Sequence, residues 1–126
     1  MRVLQIVRSA YRCNLEEQDD PAVWITRAMK GAGADLALLL RGNATNYAVL
    51  DQDASGLSIG GHAQKHAPRL DRDVAALVVG GTSVFAVRED LEQRGIEPDA
   101  LVSGVELVAR GSLPGLLARF DAVWHW

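Results

Sequence analysis

Arginine residues at the ends of predicted strands are the feature of this sequence that most directly suggests chemistry. Four of the five strands predicted below are followed at once, or within two residues, by an arginine. Because parallel strands end at the same edge of a sheet, we expect these guanidinium groups to approach one another there. A guanidinium group donates two parallel hydrogen bonds in a fixed fork, which suits a carboxylate or another oxyanion. The predicted anion-binding residues are these four and a nearby fifth: Arg8, Arg12, Arg41, Arg88 and Arg110.

The same arginines also fit a set of ordinary surface ion pairs. Acidic residues that lie near them in the sequence can neutralise them without any ligand; these are Glu16, Glu17, Glu89 and Asp90. Exposed pairs of this kind contribute only about 0–1 kcal/mol each to stability. The sequence therefore leaves two interpretations open, an anion pocket and solvated ion pairs.

Cys13 is the only cysteine of the chain and its candidate catalytic nucleophile. It follows Arg12 directly and lies near Arg8, and nearby positive charge favours the reactive thiolate. A lone cysteine is also often a small buried hydrophobic residue, and this alternative stays open. One thiol cannot close an internal disulfide, which is typical of a reducing compartment.

The sequence predicts neither a metal site nor a cofactor site. His62 and His66 have the spacing of two ligands on one helix turn, but Gly60 and Gly61 argue against a helix there, and no third ligand is evident. The glycine pairs do not lie between the first strand and its helix, where a phosphate-binding loop or dinucleotide motif requires them. Whether the chain is an enzyme stays open, and a binding role is favoured.

Composition limits the classes of partner and the number of domains. A chain of 126 residues, with 48% hydrophobic and 23% charged residues, is predicted to form a single domain over residues 1–126. The formal net charge of −3 gives no general attraction to nucleic acid. No segment approaches the roughly 20 apolar residues of a membrane span, and no signal peptide is recognisable. We therefore expect a cytoplasmic protein that binds neither nucleic acid nor membranes.

Strands and helices alternate along the chain. Short, mostly apolar runs predict five strands, at 3–7, 36–40, 83–87, 105–108 and 122–126. Helical patterns lie between them, and right-handed crossovers then give a mostly parallel sheet with helices on both faces. The expected fold class is thus an α/β three-layer sandwich with a five-stranded sheet.

The first helix has the clearest start signal in the chain. Asp20 followed by Pro21 is typical of an acidic N-cap and a proline at the first helical position. Apolar side chains recur after it at helical spacing, and we expect them to pack on the sheet; they are Trp24, Ile25, Ala28, Met29 and Ala32.

Two segments indicate contacts with other chains. Residues 51–69 contain several glycines and show no clear period, and a loop this long is usually a lid, a binding loop or an oligomer contact. The tail contains Trp124, His125 and Trp126, and a monomer would rarely leave all of these rings exposed. We expect one tryptophan in the core, and a homo-oligomer that assembles through the loop and the tail.

The order of elements and one short motif resemble the DsrE/DsrF-like family of small sulfur-relay proteins. The motif is Val84-Phe85-Ala86-Val87, then Leu91, then Arg94-Gly95-Ile96. The resemblance covers essentially the whole chain in element order. It implies a flavodoxin-like fold, assembly into trimers or hexamers, and a partner protein from a sulfur relay.

One position departs from the family pattern that this resemblance brings. Members that carry sulfur hold a cysteine persulfide at the end of the third strand, where this chain has Val87 and Arg88. Neither side chain can carry sulfur, so the resemblance implies a non-catalytic or regulatory member that acts by binding a ligand or a partner. Two alternatives stay open: a persulfide carrier that uses Cys13, and a small-anion-binding protein unrelated to sulfur transfer.

Overall fold

Seven β-strands and four α-helices make up the described part of the chain, which in this computed structural model comprises residues 1–11, 20–53 and 56–126. The strands are β1 (Arg2–Val7), β2 (Asp35–Leu40), β3 (Ser58–Ile59), β4 (His62–Ala63), β5 (Ser83–Val87), β6 (Glu106–Val108) and β7 (Ala122–His125). The helices are α1 (Pro21–Gly31), α2 (Leu70–Val79), α3 (Arg88–Glu92) and α4 (Leu113–Leu117). Short 3-10 helices cover Gly42–Ala48, Pro98–Ala100 and Arg110–Ser112.

Five strands form the central sheet, in the order β6-β5-β2-β1-β7, and all four pairings are parallel. The innermost strands are buried on both faces, as continuous apolar runs predict for parallel strands. The five predicted strands are therefore confirmed, with ends that differ by at most one residue.

Helices cover both faces of the sheet, so the fold is the expected three-layer α/β sandwich. Leu38, Leu40 and Val84 pack with the buried sides of α1 and α2 on one face. On the other face, Leu39 and Phe85 pack with Leu113 and Leu116 of α4. The last helix, α4, spans only five residues. None of the helices in the described ranges is long and apolar enough to cross a membrane.

The predicted start of α1 is confirmed, but its predicted buried face is wrong. Asp20 caps the helix, since its Oδ1 accepts hydrogen bonds from the backbone N–H groups of Ala22 and Val23. Ala22, Val23 and Thr26 are the buried residues, whereas Trp24 is 56% exposed. Thr26 faces inward because its Oγ1 donates to the Ala22 carbonyl oxygen and accepts from a buried glutamine in β1, Gln5. This polar contact sets the rotation of the helix.

The middle segment contains more structure than its sequence predicts. After the 3-10 helix, β3 and β4 form a small antiparallel hairpin separate from the main sheet. Gly60 and Gly61 make its turn with φ angles of 57° and 80°, which glycine adopts without steric cost. Leu57 and Ile59 are 61% and 60% exposed on this hairpin. The hairpin therefore presents apolar side chains to solvent.

Candidate functional site

A cleft of about 610 Å³ opens at the carboxyl edge of the sheet. Its walls come from the segments that follow β1 and β2, from Arg94 just past the end of α3, and from the end of β7. The lining residues are Arg8, Ser9, Gly42, Asn43, Arg94, His125 and Trp126. Ligands of open α/β sheets bind outside the carboxyl ends of the strands, so the cleft lies where a binding site is expected.

Positive charge predominates in this cleft. Arg8 and Arg94 contribute two guanidinium groups, and none of the described lining residues is acidic. The Arg8 side chain is exposed and makes no hydrogen bond or ion pair with any described residue. Its backbone is held in place, because its N–H donates to the main-chain oxygen of Trp126 at 3.4 Å. Arg8 therefore presents unused donors from a fixed position.

Arg94 is oriented by two partners from different parts of the chain. Its Nε and Nη2 donate to Oδ1 of Asn43 at 3.2 and 2.8 Å. Its Nη1 donates to the carbonyl oxygen of Asp90 at 3.0 Å. Since a guanidinium group carries five N–H bonds, two remain for a ligand. Arg94 is half-buried, and its three hydrogen bonds hold the guanidinium group in place before any ligand binds.

Asp90 fastens the loops around the cleft. Its Oδ2 accepts the backbone N–H of Gly42 at 2.8 Å, and its Oδ1 accepts Nη2 of Arg110 at 2.6 Å. Burial alone would raise the pKa of this carboxyl, but the hydrogen bonds from Gly42 and Arg110 outweigh burial and lower the pKa below its usual value. Asp90 therefore stays ionised and joins α3 to the loops after β2 and β6.

Gly42 is the position beside Asp90 where the backbone requires glycine. Its φ is +53°, a left-handed conformation that side chains disfavour. A Cβ there would also contact the Arg8 carbonyl oxygen at 3.6 Å and Nη2 of Arg94 at 3.9 Å. These are ordinary van der Waals distances, so the left-handed backbone angle, and not a lack of space, favours glycine at this position.

Four of the five arginines predicted to share one anion site lie in the described part of the chain, and they occupy different places. Of these four, only Arg8 lines the cleft. Arg110 pairs with Asp90, and its backbone N–H donates to Oε2 of Glu89, as the surface ion-pair interpretation anticipates. Arg41 is half-buried at the end of β2, where its Nε is buried without a partner among the described residues.

Arg88 is exposed and lines a second cavity of about 300 Å³, between α3 and β6. That cavity is also lined by Leu91, Glu92 and Glu97, so its charge is mixed. Arg12 and Cys13 lie outside the described residues.

Sequence reasoning missed most of the residues that complete the cleft. Arg94 follows a helix instead of a strand, so it is not among the arginines predicted from their place at strand ends. Asn43 joins it across 51 positions of sequence, a pairing that no local pattern indicates. The available signals were Gly42, which marks a tight turn after β2, and His125, whose ring belongs to a predicted strand end.

Trp126 has a fixed position in the cleft although it is 43% exposed. Its Nε1–H donates to Oε1 of Gln5 at 2.7 Å, and Nε2 of Gln5 donates to Oγ1 of Thr26 at 2.7 Å. Gln5 and Thr26 are fully buried. The indole is therefore held by two consecutive hydrogen bonds, from Trp126 to Gln5 and from Gln5 to Thr26, which reach into the core.

The described ranges contain no group of three or more His, Cys, Asp or Glu residues that could hold a metal ion. Separately, the lining residues of the cleft offer arginine, amide and hydroxyl donors, which suit recognition of an anion.

Comparison with known proteins shows the fold. No family model and no curated protein matches the sequence. Among solved structures, the YchN protein from E. coli is similar over 100% of both chains, with a TM-score of 0.71 and 17% sequence identity. A protein of unknown function from Methanobacterium thermoautotrophicum, MTH1491, is similar over 99% of this chain and 98% of its own, with a TM-score of 0.63 and 16% identity. Likeness at this level of identity shows the fold alone, and it confirms the expected α/β three-layer architecture.

Proposed function

We propose that this protein is a non-catalytic, DsrE-like binding protein of a sulfur-relay or sulfur-metabolism system. It acts by holding a small anion, or an anionic group of a partner protein, in the cleft between Arg8 and Arg94. The observation that carries the proposal is the exposed guanidinium of Arg8, which has no partner among the described residues and lies in a cleft without described acidic lining.

The other walls of the cleft support anion binding by their rigidity. Arg94 is held by Asn43 and by the Asp90 carbonyl, so it loses little conformational freedom when a ligand binds. Ser9, Asn43 and His125 add polar groups around the two cations. Hydrogen bonds between an anionic ligand and the two arginines are charge-assisted, and such bonds are about twice as strong as neutral ones.

We propose a non-catalytic role because of the residues at the end of β5. The family resemblance assigns sulfur transfer to a cysteine there, and this chain has Val87 and Arg88. The chain's only thiol, Cys13, comes after β1 in the sequence and not at the end of β5. A binding or regulatory role therefore fits the residues better than sulfur transfer does.

The test measures the melting temperature with phosphate, sulfate, sulfite, thiosulfate or acetate, each against chloride at matched ionic strength. A ligand at ten times its dissociation constant adds about 1.4 kcal/mol to stability, which corresponds to a shift of a few degrees. We expect such a shift in the wild type and in Arg88→Gln, and its loss in Arg8→Gln. Equal responses to all salts, or a response that survives Arg8→Gln, would overturn the proposal.

The same experiment separates sulfur metabolism from general anion binding. A larger shift with sulfite or thiosulfate than with phosphate supports the sulfur-system assignment. Equal shifts for sulfur and phosphorus oxyanions contradict it and favour a small-anion-binding protein unrelated to sulfur transfer.

We also propose that the chain self-associates as a trimer or a hexamer. Leu57 and Ile59 support this, because they are large apolar side chains, 61% and 60% exposed, on the small β3–β4 hairpin. Exposed apolar groups that lie close together on a small protein commonly mark a contact with another chain. The hairpin falls within residues 51–69, the segment that the sequence analysis singled out as an oligomer contact.

A further inference from the structure

Trp126 gives the cleft a second kind of recognition surface besides its cations. The hydrogen bonds from Trp126 to Gln5, and from Gln5 to Thr26, fix the indole in one orientation. The ring nevertheless stays 43% exposed and lines the cleft. A rigid, partly exposed aromatic ring is a good contact surface, because little conformational entropy is lost when a ligand packs on it.

The backbone places this ring beside the free arginine. Trp126 N–H donates to the Ile6 carbonyl oxygen at 2.9 Å, and Arg8 N–H donates to the Trp126 main-chain oxygen at 3.4 Å. The two residues thus continue the parallel pairing of β1 with β7 past the end of β7. A cation and an aromatic ring therefore leave neighbouring strands and line the same cleft.

The size of the cleft also exceeds what a small inorganic anion needs. Its volume of about 610 Å³ lies within the roughly 300–1,000 Å³ typical of pockets for small organic ligands. Phosphate or sulfate held by Arg8 and Arg94 would leave most of that space, and the indole, to water. A ligand that uses the whole cleft needs an anionic end and a flat apolar body.

We propose that the cleft binds an anion that carries a planar aromatic ring, of the size of a nucleoside monophosphate. Arg8 and Arg94 hold the anionic group, and the ring packs against Trp126. Asn43, Ser9 and His125 offer hydrogen-bond partners to the polar atoms between the two ends. The inference rests on the proposed function, since it requires an anion to bind between the same arginines.

Calorimetric titration with adenosine 5′-monophosphate, ribose 5-phosphate and inorganic phosphate tests the inference. In the wild type we expect the adenine nucleotide to bind at least about fivefold more tightly than ribose 5-phosphate, the factor that one stacked base supplies. Trp126→Ala should remove this preference, so that the nucleotide and ribose 5-phosphate bind the variant with equal affinity. Trp24→Ala is the matched control, because Trp24 is 56% exposed on α1 and does not line the cleft.

Tryptophan fluorescence of Trp24→Phe keeps the inference testable should Trp126→Ala fail to fold. This variant retains Trp124 and Trp126, and we expect the nucleotide to change its emission while ribose 5-phosphate does not. Equal affinity for the nucleotide and ribose 5-phosphate, with no change in emission, would overturn the ring contact and leave the proposed function standing. Failure of all three phosphates to bind would also overturn this inference, whereas the proposed function is decided separately by the melting-temperature response to sulfite and thiosulfate.

Discussion

The carboxylate of Asp90 accepts the backbone N–H of Gly42 at 2.8 Å, although 48 positions of sequence separate the two residues. This bond joins the first turn of α3 to the loop after β2. Asn43 follows Gly42 in that loop and accepts hydrogen bonds from Arg94 in the cleft wall. The other oxygen of Asp90 pairs with Arg110. One buried carboxylate thus joins α3 to two loops at the carboxyl edge of the sheet.

Asp90→Asn is expected to destabilise the protein by about 1.5–3 kcal/mol at neutral pH. The amide removes the charge that Gly42 and Arg110 both contact, and hydrogen bonds to charged groups contribute about this much. Urea unfolding of the wild type and the variant at pH 7 measures the difference.

Asp35→Asn is the matched control for that measurement. Asp35 pairs with Arg2 at 3.4 Å, but both side chains are about half exposed, so its removal should cost no more than about 1 kcal/mol. An effect of Asp90→Asn no larger than that of Asp35→Asn would contradict the structural role of Asp90.

Stability is expected to fall as the pH drops below about 5. At Asp71, as at Asp90, burial opposes ionisation, but hydrogen bonds from the Arg69 side chain and from backbone N–H groups lower the pKa below its usual value. The folded pKa of each group therefore lies below the unfolded reference of about 3.9. The stabilisation is fully present above the unfolded pKa, and it is lost as the pH falls through the folded pKa.

Urea midpoints measured from pH 7 down to pH 3 check this expectation. The difference between the wild type and Asp90→Asn should shrink with falling pH, because protonation of Asp90 abolishes the charge that the substitution removes. Parallel curves for the two proteins would show that Asp90 does not contribute to the pH dependence.

Tyr47→Phe is expected to cost about 1–3 kcal/mol. The Tyr47 hydroxyl is buried; it donates to Oδ2 of Asp20 at 2.7 Å and accepts the backbone N–H of Tyr11 at 2.5 Å. Removal of the hydroxyl takes one hydrogen bond from the buried Asp20 carboxylate and one from the Tyr11 amide. Tyr11→Phe is the control, because the Tyr11 hydroxyl makes only an exposed 3.3 Å contact with Gln52. Similar losses of stability in both variants would argue against the role of the Tyr47 hydroxyl.

Ile59→Lys is expected to dissociate the proposed oligomer. A charge on the β3–β4 hairpin must be desolvated in any contact that buries this surface. Sedimentation velocity at tens of micromolar protein should show a trimer or a hexamer for the wild type and a smaller species for the variant. Val79→Lys is the control, because Val79 is also exposed but lies at the end of α2. A monomeric wild type would contradict self-association.

Incubation with polysulfide is expected to leave the mass of the protein unchanged. The proposed function assigns no sulfur-accepting group to this chain, and its single thiol is Cys13. Intact-mass spectrometry with and without a reducing agent checks this. A reducible gain of one sulfur in the wild type that disappears in Cys13→Ser would replace the binding function with that of a persulfide carrier.

Much of the fold could be predicted from the sequence, because its signals are local. Strands buried on both faces must be continuously apolar, so β2 and β5 are recognisable from composition alone. Asp20 and Pro21 mark the start of α1 by residue types that suit unpaired N–H groups at a helix end. Strict alternation of such elements then restricts the topology to a parallel sheet covered on both faces.

Tertiary structure alone decided the cleft and the orientation of α1. The partners of Arg94 and Arg110 depend on which strand ends become neighbours, and the order β6-β5-β2-β1-β7 brings together loops that are far apart in sequence. The buried face of α1 follows from the contact between Gln5 and Thr26, two polar residues that a count of apolar positions assigns to the surface. Hydrophobic periodicity in a sequence indicates which apolar side chains are buried. A buried polar pair is stable only when its two partners form a hydrogen bond in the folded chain, so the sequence pattern does not indicate it.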